Sequence, residues 1–300
     1  MLVGSEIRAS VDIGTNSVRL LVARVEKDAL TPLCRQLAST RLGEGIQVSG
    51  RLESDAWRRT LEALGGFARI ISAYLPDEVT AVATSAVREA ANGSEFAAAA
   101  GRVLGAPVKV LTGEEEARLS YLGAVRGLGW ERAVVVDIGG GSTELTYPAG
   151  DTLVSRSRPV GAVRCTQARS SRADITRELE LLTAGVPQGL PLIAVGGTAT
   201  TLAAVEMSLT PYDPDRVHGH RLSVRQIDRL YARLAALDLA QRRRVPGLQP
   251  ERADIILAGI AILQEVLALL SREEVIVSEA DLLYALLLEP EAAASASDRS

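Results

Sequence analysis

The spacing of apolar positions changes along this chain in a way that separates strands from helices. Ala9, Val11 and Ile13 alternate up to Gly14-Thr15-Asn16-Ser17, and residues 18–25 are then rich in apolar and β-branched side chains. Alternation on both sides of a glycine turn predicts a β-hairpin, with Asp12 at the end of its first strand. Residues 133–136 are continuously apolar, as in a strand covered on both faces. They lead into Asp137-Ile138-Gly139-Gly140-Gly141-Ser142-Thr143-Glu144, after which Leu145-Thr146-Tyr147 resumes as strand. Residues 192–195 form a third apolar run, ending in Gly196-Gly197-Thr198, where a helix begins.

Other segments carry the helical period. Within residues 53–74, Trp57, Leu61, Leu64, Phe67, Ile70 and Ile71 fall on one face of a helix. Residues 94–104 are Ala-rich, and residues 223–237 and 250–270 also read as helical. Strand-like runs occupy residues 79–83 and 108–111, and residues 155–163 read as strand and connection. Strands alternating with helices indicate an α/β fold. Asp12 and Asp137 lie 125 positions apart, about one domain length. The repeat of strand, Asp and glycine turn therefore predicts an internal duplication into two lobes. The expected division is 1–128 and 129–290, with the boundary at Gly127-Leu128-Gly129. The Ala/Ser-rich residues 291–300 are expected to be a disordered tail.

Composition narrows the function. A chain of 300 residues, 47% hydrophobic and 23% charged, suits two globular domains. The net charge of −4 argues against a general nucleic-acid binder, so any polyanion must be held by a local site. No basic start precedes an apolar stretch, and residues 255–270 are too short to span a bilayer and are interrupted by Gln264 and Glu265. The expectation is a cytoplasmic protein with no membrane partner. Cys34 and Cys165 stand far apart and read as reduced thiols, and His218 and His220 cannot make a zinc site alone. The run Arg242-Arg243-Arg244 reads as a solvated helix end.

The glycine turns carry the chemistry. Backbone amides in such turns bind phosphate oxygens, and carboxylates bind Mg²⁺. Asp12, Asp137 and Glu144 are therefore candidate ligands of a metal or its waters, while Asn16, Ser17, Ser142 and Thr143 can donate to phosphate. Glu114, Glu115 and Glu116 read, by themselves, as acids opening a helix.

Several longer motifs occur in a fixed order: Asp12-Ile13-Gly14-Thr15-Asn16-Ser17, Arg41-Leu42-Gly43-Glu44-Gly45, Ala83-Thr84-Ser85-Ala86-Val87-Arg88, Gly113 to Arg118, Asp137 to Glu144, Gly196-Gly197-Thr198, and Pro246-Gly247-Leu248 through Asp254. Together they resemble the exopolyphosphatase and guanosine pentaphosphate phosphatase family over about residues 9–288. The resemblance implies two ribonuclease H-like α/β lobes of the actin, sugar-kinase and heat-shock-chaperone superfamily, with the active site in a cleft between them. It implies hydrolysis of the terminal phosphoanhydride of inorganic polyphosphate, with Mg²⁺ as the metal and Mn²⁺ as the alternative. Guanosine pentaphosphate, an alarmone of the stringent response, is the alternative substrate. A non-catalytic protein that binds polyphosphate or alarmone is a further alternative, and a homodimer is left open.

The Glu before the Ala of the family's Glu-Glu-Ala-Arg motif is its base, which here is Glu116, with Glu115 the neighbouring choice. Phosphate contacts carry over to Gly14, Thr15, Asn16, Ser17, Arg88, Gly139, Gly140, Gly141, Ser142, Thr143, Gly197 and Thr198, and metal contacts to Asp12, Asp137 and Glu144. The segment from Tyr212 to His220 resembles the shorter, two-domain members; the extra C-terminal helical domains of the longer members are not matched here, from which a preference for short polyphosphate is expected. Residues 278–285 depart from the family's pattern, and no role is carried onto His218 or His220.

Overall fold

The fold is that of a computed structural model describing residues 5–27 and 29–289. In chain order the elements begin β1 (Glu6–Ile13), β2 (Val18–Glu26), β3 (Ala29–Ala38), α1 (Ile46–Ser49), α2 (Ser54–Tyr74), β4 (Glu78–Ala83), α3 (Ser85–Glu89), α4 (Gly93–Leu104) and β5 (Val108–Val110). They continue α5 (Gly113–Gly127), β6 (Val134–Ile138), β7 (Thr143–Ala149), β8 (Thr152–Arg158), α6 (Ala162–Ala168), α7 (Arg172–Thr183), β9 (Leu192–Val195), α8 (Gly196–Glu206) and α9 (Pro214–Val217). The rest are β10 (Arg221–Ser223), α10 (Val224–Ala235), α11 (Leu239–Arg242), a 3₁₀ turn (Pro250–Arg252), α12 (Ile256–Leu269), β11 (Glu274–Val277) and α13 (Leu282–Leu288). The expected tail, 291–300, lies outside the described residues.

The chain divides into two compact units, Met1–Thr112 with Leu282–Ser300, and Gly113–Asp281. The first has the sheet order β3-β2-β1-β4-β5. Its first three strands are antiparallel, and β1, β4 and β5 run parallel. The second repeats that order as β8-β7-β6-β9-β11, with the short β10 added antiparallel at the edge. The same order in each unit, antiparallel hairpins first and parallel crossovers after, is the duplication expected from the paired Asp turns, in the α/β form that the resemblance implied.

The division differs from the expected boundary near residue 128, and packing explains why. Tyr121, Ala124 and Val125 of α5 lie against Ala133, Val135, Ile193, Val195 and Ile276, on one face of the second sheet. The opposite face carries Val134, Val136 and Leu145 against Leu202 and Ala203 of α8 and Ile260 and Leu263 of α12. Residues 133–136 are continuously apolar because β6 is covered on both sides. So α5, with its glutamates, belongs to the second unit. At the other end, Leu283 and Leu287 of α13 pack on Leu21, Ala23 and Val25, and Ser10 Oγ donates to the Leu283 carbonyl at 3.0 Å, which places this helix in the first.

In the first unit the amphipathic reading of residues 53–74 matches α2, whose Leu64, Phe67 and Ile71 are buried with Phe96 of α4 against Val11, Ile13 and Leu20. Truncating a side chain such as Leu64 in this core would cost about 2–5 kcal/mol. Three strands, β3, β10 and β11, are not legible in the apolar pattern. β3 is an edge strand whose Pro32 sits at a β-bulge, opposite Ala23, where the missing N–H is tolerated. Helix 250–270 begins later than expected, at Ile256, after the 3₁₀ turn. Among the described residues no helix is long and apolar enough to cross a membrane.

Candidate active site

The two hairpins share one register. In the first, Asp12 pairs with Arg19 and Ile13 with Val18, and in the second Asp137 pairs with Glu144 and Ile138 with Thr143. Each turn is closed alike: the N–H of Gly14 donates to the Ser17 carbonyl at 3.0 Å, and that of Gly139 to the Ser142 carbonyl at 3.0 Å.

A following segment then fastens the carbonyls of each turn. Arg41 N–H donates to Asn16 O at 2.8 Å and Gly43 N–H to Thr15 O at 2.9 Å. In the second unit Ala162 N–H donates to Gly139 O at 2.9 Å, Val163 N–H to Gly140 O at 2.8 Å, and Arg164 Nε to Gly141 O at 2.7 Å. Both locks need a glycine. A Cβ on Gly43 would stand 2.3 Å from Thr15 Cγ2, and one on Gly161 would stand 2.5 Å from Gly140 O. With their carbonyls turned back, Thr15, Asn16, Gly140 and Gly141 keep N–H groups that donate to nothing among the described residues. Asn16 is buried, and its Nδ2 also lacks an acceptor there. Donors of this kind suit phosphate oxygens.

The acids of the second unit converge. α5 opens with Glu114 exposed, Glu115 half-buried and Glu116 buried. One turn further, Ser120 donates from Oγ to Asp137 Oδ2 at 2.6 Å. On β8, directly opposite Glu144, Ser157 donates from Oγ to Glu144 Oε1 at 2.7 Å. Glu144 is 1% exposed, and its Oε2 has no hydrogen-bond partner among the described residues. Burial pushes its carboxyl well above the usual range. The charges of Glu116 and then Asp137 push it the same way, against the Ser157 and Ser142 hydroxyls. Gly196 makes room for this group: at φ +85° it opens α8, and a Cβ there would stand 2.7 Å from Asp137 Oδ1.

Several candidates have structural partners instead. Asp12 accepts from Arg19 Nη2 at 2.7 Å and Nε at 3.0 Å, so its charge is met within its own hairpin. Thr143 is fully buried and donates to the Val160 carbonyl, which removes its hydroxyl from the set of phosphate donors. Thr198 is buried where α12 brings Gly259 against it; a Cβ on Gly259 would stand 2.3 Å from Thr198 Oγ1. Gly197 lies under the Arg252 guanidinium, and Arg88 Nη1 donates to the Leu111 carbonyl at 2.8 Å. Ser17 is half-buried and Ser142 buried. His218 has both ring nitrogens engaged, Nε2 with Gly127 O at 3.0 Å and Nδ1 with Glu279 N–H at 3.2 Å, a structural tie.

The sequence reading did not single out Ser120, Ser157 or Gly161. Ser120 lies one helical turn after Glu116, and that spacing is the signal the sequence offers; Gly161 follows its turn at a different distance from Gly43, so no spacing marks it.

Two duplicated α/β units with glycine turns that keep free donors, and a carboxylate cluster beside one of them, define a phosphate-handling enzyme. The chain belongs to the Ppx/GppA phosphatase family, whose pattern it matches over residues 21–289. It is 35% identical over 309 aligned residues to exopolyphosphatase 2 of Mycobacterium tuberculosis, covering 93% of this chain and 97% of that protein. Among solved structures it resembles the PPX-GPPA enzyme of Aquifex aeolicus, with TM-score 0.79 and 32% identity, over 95% of this chain and all of that one. It also resembles an exopolyphosphatase-like protein, with TM-score 0.88 and 32% identity, over 95% of this chain and 98% of that one. Phosphatases of this family work with a divalent metal.

Proposed function

We infer that the protein is an exopolyphosphatase, which cleaves the terminal phosphoanhydride of inorganic polyphosphate and releases orthophosphate. The observation that carries this reading is the placement of Glu116, buried at the start of α5 and close enough to Glu144 for its charge to raise that carboxyl. In the reaction a water oxygen forms a bond to the terminal phosphorus while Glu116 takes its proton. The bridging P–O bond breaks, and its electron pair leaves with the shortened chain. A positioned base contributes about a hundred- to ten-thousand-fold in rate. The free N–H groups of Gly140 and Gly141 in one unit, and of Thr15 and Asn16 with the Asn16 amide in the other, are donors for phosphate oxygens.

The metal reading is Mg²⁺. Among the described residues no group of three His, Cys, Asp or Glu could hold a metal ion. Asp12 is paired with Arg19 in its own hairpin, so the reading rests on two carboxylates of the second unit. Mg²⁺ is commonly held by one or two carboxylates with waters and substrate phosphates completing its shell. Asp137 and Glu144 supply two, and the unpartnered Oε2 of Glu144 beside other negative charge is what a cation would relieve. Bound there, it would neutralise charge developing on the phosphoryl oxygens. Ser120 and Ser157 hold the two carboxylates in place.

The name of the Mycobacterium relative favours polyphosphate over guanosine pentaphosphate, on which the same chemistry would run. A non-catalytic binder of polyanions has no use for three clustered carboxylates. Phosphate release from tripolyphosphate, long polyphosphate and guanosine pentaphosphate, compared in Mg²⁺, Mn²⁺ and chelator, tests the reading. Release from polyphosphate in Mg²⁺ supports it, and release from guanosine pentaphosphate alone contradicts it.

A further inference from the structure

One segment of the second unit concentrates positive charge. Between Val224 and Val245 the chain has six arginines and two aspartates, a net charge of +4 in a protein whose net charge is −4. α10 turns Ile227, Leu230 and Leu234 into the core and leaves Arg225, Arg229 and Arg233 exposed. These arginines recur every four residues, about 6 Å apart along the helix at 1.5 Å rise per residue. Arg242 folds back and donates to the carbonyls of Leu234 at 3.0 Å, Leu237 at 2.9 Å and Ala253 at 2.9 Å. That anchor sets the exposed Arg243 and Arg244 beyond the C-terminal end of α10.

Some exposed arginines elsewhere pair with carboxylates, as Arg58 with Glu62, Arg177 with Asp174 and Arg221 with Glu274, and others such as Arg24, Arg69 and Arg102 stand singly. The five exposed between Val224 and Val245 make no ion pair and no side-chain hydrogen bond among the described residues. The local acids are engaged otherwise. Asp228 accepts from Gln264 Nε2 at 2.6 Å, and Asp238 caps α11 by accepting from Gln241 N–H at 2.8 Å. Like charges four residues apart disfavour a helix, so the stripe does not serve the fold.

We propose that Arg225, Arg229, Arg233, Arg243 and Arg244 form a docking stripe for the distal part of a long polyphosphate chain. The inference rests on the exopolyphosphatase reading for the identity of the polyanion. The surface itself disfavours other polyanions. Single-stranded nucleic acid binds by stacking its bases on aromatic rings, and the aromatic residue of α10, Tyr231, is partly buried with the Arg172 guanidinium 5.8 Å over its ring. Stable anchoring on an anionic membrane takes an apolar contact besides basic charge, and the apolar face of α10 is in the core; Leu239, 39% exposed, is the large apolar side chain left in the segment. A flexible chain of phosphates without bases needs only a linear series of guanidinium groups, which bind phosphate bidentately. Chains long enough to reach α10 gain affinity, against the preference for short chains expected from the sequence.

The test compares wild type with a variant in which all five arginines are changed to Gln, and with Arg243→Gln/Arg244→Gln. Binding of end-labelled long polyphosphate is measured in chelator across a salt series, and turnover of tripolyphosphate in Mg²⁺. Loss of five phosphate contacts should weaken long-chain binding on the order of ten- to a hundredfold and lower the slope of log affinity against log salt by roughly 3. The double variant should fall between, with tripolyphosphate turnover unchanged in both. Unchanged long-chain affinity and salt slope would overturn the proposal. So would equal losses on tripolyphosphate and long chains in both variants, or single-stranded RNA that binds as tightly as polyphosphate with the same arginine dependence. Failure of the exopolyphosphatase reading shows separately, as no phosphate release by wild type, and leaves the binding comparison intact.

Discussion

Asp137 and Glu144 face each other across the β6–β7 ladder, at the register where the first hairpin sets Asp12 opposite Arg19. The same backbone has thus been given opposite electrostatics. One copy neutralises its Asp with a guanidinium, and the other sets two carboxylates together with Glu116 nearby and leaves Glu144 with an unpartnered oxygen. In the proposed function, a cation bound there would relieve this repulsion.

Glu144 gives the first prediction. Its folded pKa is raised, so its contribution is present below the ordinary glutamate pKa and is lost as pH rises toward the raised value. Without metal, wild type should lose stability over that window. Glu144→Gln should not, melting several degrees above wild type at pH 8 and close to it near pH 4. Mg²⁺ should raise the melting temperature of wild type and leave that of the variant nearly unchanged. Thermal melts at both pH values, with and without Mg²⁺, check this.

Ser120 gives the second. Its hydrogen bond to Asp137 is of the charge-assisted kind, worth about 1.5–3 kcal/mol. Ser120→Ala should weaken Mg²⁺ activation by about tenfold or more, while Ser120→Thr, which keeps the hydroxyl, should recover most of it. Titration of Mg²⁺ binding by calorimetry separates this from a general loss of fold.

Gly161 gives the third. An added Cβ would meet backbone atoms of Gly140 and Gly141, which cannot give way without moving the turn. Gly161→Ala should cost about 1–3 kcal/mol of stability and raise KM for polyphosphate. The matching change, Gly43→Ala, meets a threonine methyl first and should be milder. Denaturant melts and steady-state kinetics on both variants decide it.

The sequence made the turns legible because glycine and aspartate have little other reason to recur at the end of apolar runs, as at Asp12-Ile13-Gly14 and Asp137-Ile138-Gly139. It could not show that Arg19 answers Asp12 while Glu144 repeats the charge of Asp137, because that depends on the pairing register. The unit to which α5 belongs was hidden for a similar reason. Its apolar residues are ordinary, and only the covered face of β6 shows where they pack. Ser120 and Ser157 are common residues whose meaning lies in what they touch. The choice among three adjacent glutamates rested on a motif, and burial now sets Glu116 apart from Glu114 and Glu115.

The central claim is that Glu116 takes the proton from the attacking water. Steady-state phosphate release from polyphosphate in Mg²⁺, by wild type, Glu116→Gln, Glu115→Gln and Glu114→Gln, tests it most directly. Gln keeps the size and hydrogen bonding of Glu but accepts no proton, so kcat of Glu116→Gln should fall about a hundred- to ten-thousand-fold with KM little changed. Glu114→Gln should be nearly silent, and Glu115→Gln should retain most activity. Near-normal kcat in Glu116→Gln would contradict the account, and a collapse in Glu115→Gln alongside it would move the base by one residue.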